Sequence, residues 1–314
     1  MTGGDLPVLS LDMGCNRRKN FDVSMDRDMK GIGFFVNLRR RCLVVVFAEG
    51  IAGKLKLFLW LLLDSIPRTL RRKFNLWLKY YIDESKNRLL KKTIITLNDC
   101  RFFCLDSRSV LVLSTETEKW MWRYLTLKKG DVFLDIGAHI GKYTVIGAKM
   151  VGRQGLVISV EPHPTNYKVL RENINLNNLN NVIALNVAAW NREGHLKFFI
   201  AKESGSHSLK INHGLGAINV RARPLDTLLE ELGVKRVNYI KIDVEGAEAE
   251  VLEGLTLTLQ KWKPTVIVEV WRHEEEKIKK FAEKRKYIVK PITPKFGNHQ
   301  YCVLLPEERE GRSP

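Results

Sequence analysis

The stretch Asp135-Ile-Gly-Ala-His-Ile-Gly141 closes a strand-like apolar run, Val132–Asp135, and leads into a helical pattern that begins near Lys142. Glycines at such a junction let the chain turn sharply, and they let a ligand approach the backbone closely. In open α/β sheets, ligands bind beyond the carboxyl ends of the strands, where such turns lie. The stretch therefore predicts a ligand-binding turn, although glycine turns with a purely structural role are also common.

Strand-like runs and helical patterns alternate from this turn onward, which is typical of a parallel sheet with helices on both faces. Near the end, two short strand-like runs flank a stretch that contains Pro, Gly and Asn. This arrangement predicts a hairpin, and therefore an antiparallel last strand. The predicted strands are Val132–Asp135, Leu156–Val160, Val182–Val187, Tyr239–Ile242, Val266–Val270, Tyr287–Val289 and Tyr301–Leu305, and the predicted helices are Tyr143–Met150, Asn166–Leu176 and Ala247–Gln260.

The first 130 residues carry most of the positive charge. The chain has 52 basic and 35 acidic residues, a net charge of +17, and this part holds 25 of the basic and 13 of the acidic ones. Residues 37–92 combine the charge with apolar runs, and Leu70, Phe74, Trp77 and Tyr81 recur at helical spacing. We predict a basic helical extension whose apolar face either packs on the following domain or lies on an anionic membrane surface.

The most apolar part of this extension, Leu43–Leu63, has the length of a transmembrane helix. It contains Glu49, Lys54 and Lys56, each of which costs about 2–3 kcal/mol near the centre of a bilayer. We therefore expect peripheral contact at most. Five scattered cysteines without a C-x-x-C pair, and the lack of an apolar run of signal length near the start, predict a cytoplasmic protein.

The remaining boundaries follow from the same patterns. Residues 1–36 are polar and mixed in charge, and are predicted to form a disordered tail, with upstream sequence before a later start such as Met25 or Met29 as the alternative. Residues 93–130 lead into the sheet domain, residues 131–306, which is followed by a tail at 307–314. In the lead-in, the strand-like runs are Thr93–Leu97, Arg101–Leu105 and Val110–Leu113, and the helical pattern is Glu116–Leu127 with Thr115 or Thr117 as its cap.

Glu161 closes the second strand of the predicted sheet, twenty residues after Gly141. A carboxylate there can accept hydrogen bonds from the ribose hydroxyls of an adenosine, in NAD and in S-adenosylmethionine (SAM) alike. The turn departs from the dinucleotide pattern G-x-G-x-x-G, because His139 stands where a second glycine would let a pyrophosphate approach. Asp135 at the entry also suits a cationic ligand better than a phosphate. The turn therefore favours SAM over NAD.

The run Lys241-Ile-Asp-Val-Glu-Gly-Ala-Glu248 spans the end of the fourth predicted strand. Asp243 and Glu245 alternate by two, so both side chains project to one side and can face the cleft. Two close carboxylates can share a proton, which lets one of them act as a base near neutral pH. The alternative is a helix N-terminus, where Glu245 and Glu248 complement the dipole without a catalytic role; for Glu248 we favour that alternative.

Two further residues are candidates for the site. His207 lies on a loop predicted to cover the cleft and is a candidate base, with an exposed loop histidine as the alternative. Glu269 ends the fifth predicted strand and is a candidate substrate contact. The sequence has no H-x-x-H spacing, so we predict no metal, with Mg²⁺ on Asp243 and Glu245 as the alternative.

Four motifs occur in order, beginning at Asp135 and ending at Glu269: residues 135–144, Val160-Glu-Pro162, residues 241–248, and Val268-Glu269. Together they resemble the FkbM family of SAM-dependent methyltransferases, which often has Asn at the position of His139. The resemblance implies a class I methyltransferase fold, a Rossmann-like, mostly parallel α/β sheet of seven strands with an antiparallel last strand. It also implies that the methionine end of SAM binds at Asp135, Gly137, Ala138, His139 and Gly141, its ribose at Glu161, and its adenine near Pro162 and Asn186.

Members of that family typically methylate hydroxyls of sugars, polyketides or related metabolites. The sequence thus predicts an O-methyltransferase whose acceptor is a hydroxyl of a sugar, glycolipid or other small metabolite. Asp243 is the first choice for orienting the acceptor or taking its proton, and Glu245 is the second. A nucleic-acid methyltransferase is disfavoured, because residues 243–246 lack the Asn/Asp-Pro-Pro-aromatic run of adenine-methylating enzymes. A non-catalytic SAM-binding module, tethered by its basic helices, is the other alternative.

Overall fold

The computed structural model describes residues 45, 48–65, 76–90, 93–113, 118–295 and 297–309. Several expectations lie outside these residues: the tail 1–36, the start of the helix at Leu70 and Phe74, the caps Thr115 and Thr117, and residues 310–314 of the second tail.

Helices and strands alternate from Val132 onward as the sequence predicts, except in the segment from Ala188 to Arg223, where three strands follow one another. The described helices are α1 (Gly50–Ser65), α2 (Leu76–Leu90), α3 (Ser107–Val112), α4 (Lys142–Val151), α5 (Pro164–Leu176), α6 (Leu225–Glu231), α7 (Glu248–Glu253), α8 (Thr256–Trp262) and α9 (Glu275–Glu283), with 3-10 turns at Lys119–Arg123 and Glu307–Arg309. The described strands are β1 (Ile94–Leu97), β2 (Cys100–Phe103), β3 (Val132–Ile136), β4 (Leu156–Val160), β5 (Val182–Leu185), β6 (Ala188–Ala189), β7 (Gly194–Phe199), β8 (Ala217–Arg223), β9 (Tyr239–Ile242), β10 (Thr265–Trp271), β11 (Tyr287–Pro291) and β12 (His299–Pro306).

The central sheet has seven strands in the order β11-β12-β10-β9-β3-β4-β5. The five strands from β10 to β5 in this order are mutually parallel. β12 is antiparallel to both β10 and β11, because the chain forms β11 at the sheet edge and then turns back into the space beside β10. The expected class I fold, with its mostly parallel sheet and antiparallel last strand, is confirmed.

The strands are apolar along their length because helices cover both faces of the sheet. Consecutive residues of β3 show this: Leu134 packs in one buried cluster with Leu228 of α6, and Phe133 packs in another with Ala148 of α4. The carboxyl ends of the strands remain uncovered by these helices. The chain leaves β3 toward β4 on one side, while β9 lies on the other, so a crevice is expected at this switch point.

A second sheet of three strands, in the order β6-β8-β7, is inserted between β5 and β9. β8 is antiparallel to β7 and parallel to β6. The loop that joins β7 to β8, residues 200–216, extends over the carboxyl edge of the central sheet and supplies side chains to the cavity there. The sequence-based assignment has no strand in this insertion.

Three assignments need correction. Val110–Leu113 does not form a strand; most of it belongs to α3, because Asp106 and Ser109 form a reciprocal capping box that starts a helix. In the described part of the predicted helix Glu116–Leu127, residues 118–127, the structure has only the 3-10 turn Lys119–Arg123. The predicted helix Ala247–Gln260 is two helices, because the chain bends at Gly254, where an added Cβ would lie 2.2 Å from the backbone oxygen of Trp190.

The N-terminal helices pack on the domain that follows. Leu57 and Trp60 of α1 are buried in one cluster with Phe102 of β2 and Ile146 of α4, and the indole Nε1 of Trp60 donates to Ser107 Oγ at 3.0 Å. In the described part of the chain, the helices are too short or too polar to cross a bilayer.

Candidate active site

A cavity opens at the carboxyl ends of β3, β4 and β9. It spans about 990 Å³ of empty space, part of which is open to solvent. The turn after β3 forms one side, the loop 200–216 covers another, and α3 reaches in from the N-terminal part. The predicted site residues that line it are Gly137, Ala138, His139, Glu161, Pro162, His207, Asp243, Glu245 and Glu269.

Two glycines give the turn after β3 its shape. Gly137 has φ 79°, and an added Cβ would lie 1.8 Å from the backbone oxygen of Asp243. Gly141 has φ 90°, and an added Cβ would lie 2.5 Å from Cδ1 of Leu170. Only glycine satisfies both demands at Gly137. The turn can therefore cross the end of β9 closely enough to bring the glycine motif and the carboxylate motif into one site.

His139 occupies the left-handed region with φ 52°, which His and Asn adopt more readily than most residues. This conformation explains how His can take a position where Asn is common. Its Nε2 lies 2.6 Å from Ser204 Oγ, and burial lowers its pKa to about 4. The imidazole is therefore neutral, and it ties the glycine turn to the covering loop.

Glu161 follows β4 with both carboxylate oxygens in hydrogen bonds. Oε2 accepts from the backbone N–H of His139 at 2.9 Å, and Oε1 accepts from that of His163 at 2.9 Å. Burial raises the pKa of Glu161 to about 7, against the lowering effect of these bonds. Oε1 also accepts a longer hydrogen bond from Asn166 Nδ2 at 3.4 Å. Oε2 keeps a second lone pair, so the side chain can still accept a hydrogen bond from a ribose hydroxyl.

The side chains of Asp135 and Asn186 do not line the cavity; they hold the segments that do. Asp135 is fully buried, where it accepts from the Thr144 hydroxyl at 2.6 Å, and burial raises its pKa. Asn186 Nδ2 donates to the backbone oxygens of Glu161 and Pro162 at 2.8 and 3.0 Å. Both residues therefore support the predicted cofactor site from behind its wall.

Three carboxylates meet where β9 and β10 end. One oxygen each of Asp243, Glu245 and Glu269 lies within 4.8 Å of the others. Lys241 Nζ lies 3.2 Å from Asp243 Oδ2, and the Tyr301 hydroxyl donates to the same oxygen at 3.0 Å. Burial by itself would raise the pKa of Asp243, but the effects of these partners outweigh it, so the pKa is lowered. Asp243 is therefore ionised at neutral pH.

The other two carboxyl groups hold their protons more tightly. Burial, and after it the charge of Asp243, raises the pKa of Glu245 to about 8 and that of Glu269 to about 10. Trp271 Nε1 donates to Glu269 Oε2 at 2.9 Å. The cluster has the spacing to share one proton or one divalent cation. Glu245 is the member whose two protonation states are closest to balance near neutral pH.

His207 lies on the covering loop, as predicted, and lines the cavity. Its Nδ1 accepts from the backbone N–H of Ala201 at 2.9 Å, and its ring stacks on His163 at a centroid distance of 4.2 Å. Burial, and then the charge of His163, lowers its pKa to about 4. The neutral ring therefore carries its proton on Nε2. This geometry favours a hydrogen-bond donor over the base that the sequence indicated.

Residues 135–299 match the family model described as the methyltransferase FkbM domain. The chain belongs to the FkbM methyltransferase family. It is 30% identical over 143 residues to the hexuronic acid methyltransferase AglP of Haloferax volcanii, covering 46% of this chain and 57% of that protein. It is 29% identical over 147 residues to Methyltransferase 1 of Beauveria bassiana, covering 40% of this chain and 59% of that protein. The chain thus spans less than two thirds of either relative.

Solved structures show weaker likeness. The methyltransferase FkbM of Methylobacillus flagellatus has 12% identity and a TM-score of 0.43, covering 88% of this chain and 60% of that chain. TYW2 of M. jannaschii, in complex with AdoMet, has 20% identity and a TM-score of 0.40, covering 67% of this chain and 83% of that chain. At TM-scores below 0.5, neither likeness bears on what this FkbM member does.

Several cavity residues of this FkbM member were not predicted from the sequence. Lys241 lies inside the carboxylate motif, and its place two residues before Asp243 was the available signal. Tyr301 comes from β12, and Arg108 comes from α3. Within the described residues the Arg108 side chain has no hydrogen bond or ion pair, although it lines the cavity. Glu118 accepts from the Tyr143 hydroxyl at 2.6 Å beside the cavity. The sequence offers no local signal for the last three.

Proposed function

We propose that this chain uses SAM to methylate a hydroxyl group of a sugar, glycolipid or other small metabolite. The observation that carries the proposal is the pairing of two features in one cavity: a glycine turn backed by Glu161, and a cluster of carboxylates in which Glu245 can exchange a proton near neutral pH. The first suits an adenosine-bearing methyl donor, and the second suits an acceptor that must lose a proton.

The cavity residues fit SAM on three counts. Gly137 lines the cavity where the methionine end would lie, and its lack of a Cβ lets the turn pass against the backbone of Asp243. Glu161 Oε2 has a lone pair left for a ribose hydroxyl, and Pro162, Ala188 and Ala189 offer an apolar wall for the adenine. When bound there, SAM supplies a methyl group on a sulfonium, which is a good leaving group.

The carboxylates divide the remaining work. Glu245, when ionised, takes the proton of the acceptor hydroxyl as that oxygen attacks. Asp243 keeps its charge because Lys241 and Tyr301 face it, so it orients the hydroxyl and stabilises positive charge nearby. Glu269 keeps its proton, and it therefore donates a hydrogen bond to the acceptor. The proposal thus moves the base from Asp243, the first choice from the sequence, to Glu245.

The acceptor class rests on similarity and on chemistry. AglP, which is named for its action on a hexuronic acid, is similar to this chain over 143 residues that make up 57% of its length. Carboxylates on the acceptor side are well suited to hydrogen-bond the several hydroxyls of a sugar.

A transfer assay with methyl-labelled SAM tests the proposal. The panel contains free sugars including hexuronic acids, glycolipids, hydroxylated metabolites and transfer RNA, and Glu245→Gln is the matched control. We expect label on a hydroxylated acceptor, no transfer by the variant, and unchanged transfer after EDTA treatment. Label on RNA alone would refute the acceptor class. Tight binding of S-adenosylhomocysteine without transfer to any acceptor would support the non-catalytic alternative.

A further inference from the structure

The helix α1 presents a continuous apolar surface to solvent. In the described part of the chain, eight large apolar side chains are exposed, and five of them lie on this one helix. Ile51 is 89% exposed and Phe58 is 49% exposed. The five, which we call the outer stripe, follow helical spacing along one face: Ile51, Leu55, Phe58, Leu59 and Leu62.

The opposite face of α1 is fixed to the protein. Leu57, Trp60 and Leu61 are buried in the cluster that also contains β1, β2 and part of α4. A helix that is apolar all round is normally buried on every side. Among the described residues only one side of α1 is covered, so the outer stripe is a contiguous apolar patch of the kind that marks an interaction surface.

Basic residues surround this patch in the sequence. Residues 39–73 contain nine basic and two acidic residues, and the basic ones form clusters before and after α1, at Arg39–Arg41 and from Arg68 to Lys73. Both acidic residues already have partners. Glu49 binds Arg101 through both oxygens at 2.7 and 2.8 Å, and Asp64 pairs with Lys86 at 2.7 Å. The segment therefore has a strong excess of positive charge.

We propose that the outer stripe of α1 docks on an anionic lipid bilayer, with the helix lying in the plane of the interface. The apolar side chains enter the headgroup boundary, while Lys54 and the flanking basic clusters meet the acidic lipid headgroups. A second copy of the chain is a poorer partner. A symmetric dimer through this stripe would pair two segments that each carry this excess of positive charge, and like charges across an interface oppose binding.

Vesicle co-sedimentation of the full chain tests this proposal. The vesicles contain phosphatidylcholine alone or with about one third phosphatidylserine, at low and high salt. We expect binding to the anionic vesicles that weakens with salt. Leu55→Glu combined with Phe58→Glu should reduce the partition coefficient by about tenfold or more, since it removes apolar surface and adds negative charge. The matched control is Leu257→Glu, which changes an exposed leucine of α8 and should bind as the wild type does.

Circular dichroism and binding of S-adenosylhomocysteine show whether each variant is folded. The proposal is overturned if the wild type does not sediment with anionic vesicles. It is also overturned if the folded double variant sediments as well as the wild type. Light scattering provides the remaining outcome: a wild-type dimer that the double variant abolishes, without vesicle binding, would assign the stripe to a second copy.

Discussion

Glu245→Gln tests the division of labour among the three carboxylates. The amide keeps the size of the side chain but cannot take a proton from the acceptor. General base catalysis is commonly worth about 10²–10⁴-fold in rate, so we expect kcat to fall by that factor. Binding of S-adenosylhomocysteine should change little, because the proposed cofactor contacts are the Glu161 carboxylate and the glycine turn, and the Glu245 side chain is not one of them.

The pKa of Glu245 predicts how strongly the activity of the wild type depends on pH. With the pKa of Glu245 at about 8, roughly one tenth of the groups are ionised at pH 7 and roughly nine tenths at pH 9. The base must be ionised to act, so kcat/KM for SAM should rise about tenfold over this interval. This parameter reports ionisations before SAM binds. The acid limb of the profile should disappear in Glu245→Gln.

The variant Asp243→Asn tests how the charge of Asp243 affects the pKa of Glu245. The charge of Asp243 is the second cause, after burial, of the raised pKa of Glu245. Removing it should move the acid limb to lower pH, although not to the ordinary value of a glutamate, because burial remains. Full activity in Glu245→Gln would refute the assignment of the base. An acid limb that stays in place in Asp243→Asn would refute the proposed coupling of the two carboxylates.

Three further predictions concern other residues. Arg108→Gln removes a positive charge that lowers the pKa of Glu245, so the acid limb of its pH–rate profile should move to higher pH. Gly137→Ala meets both a backbone oxygen at 1.8 Å and a positive φ, and it should destabilise by more than about 2 kcal/mol in urea unfolding. Gly194→Ala, in open space, should change stability by less than about 1 kcal/mol. Burial raises the pKa of Glu248 from 4.5 to about 8. Between these values the folded protein keeps a proton that the unfolded chain releases, so the free energy of unfolding of the wild type should fall as the pH rises. Glu248→Gln should show a shallower loss.

The fold was predictable where local sequence dictates local backbone. The turn at residues 135–141 was predictable because glycine favours the positive φ angles of Gly137 and Gly141. The strands were predictable because a sheet that is covered on both faces has continuously apolar strands. The assignment of Val110–Leu113 to a strand was wrong because its two valines, which are β-branched, favour strands. The capping box between Asp106 and Ser109 overrode that preference, and its Asp-x-x-Ser spacing was readable in the sequence.

The inserted sheet was also open to prediction in part. β7 and β8 each alternate exposed and less exposed residues, which is the pattern of a half-covered strand. Their pairing into a separate sheet could not be read, because register depends on contacts between segments far apart in the chain. The loop that they hold in place brings Ser204 to His139 and His207 to the cavity.

The sequence predicted more of the residues on one side of the cavity than on the other. The cofactor side is built from consecutive residues at strand ends, so spacing alone revealed Gly137 and Glu161. The acceptor side gathers Arg108, Tyr301 and the covering loop from elements that meet only after folding. The protonation of Asp243 also depends on Tyr301, which is 58 residues away in the chain, and this dependence moved the proposed base to Glu245.

The extension at residues 37–92 contributes to this acceptor side. Trp60 of α1 donates to Ser107, and the next residue, Arg108, lines the cavity. The helix that carries the outer stripe is therefore hydrogen-bonded to the residue next to one that lines the cavity. If α1 lies on a bilayer, the surface that holds the enzyme and the wall that meets the acceptor belong to one packed unit. On that basis we propose a glycolipid rather than a freely diffusing sugar as the acceptor, because a membrane-borne substrate would share the surface on which the enzyme rests.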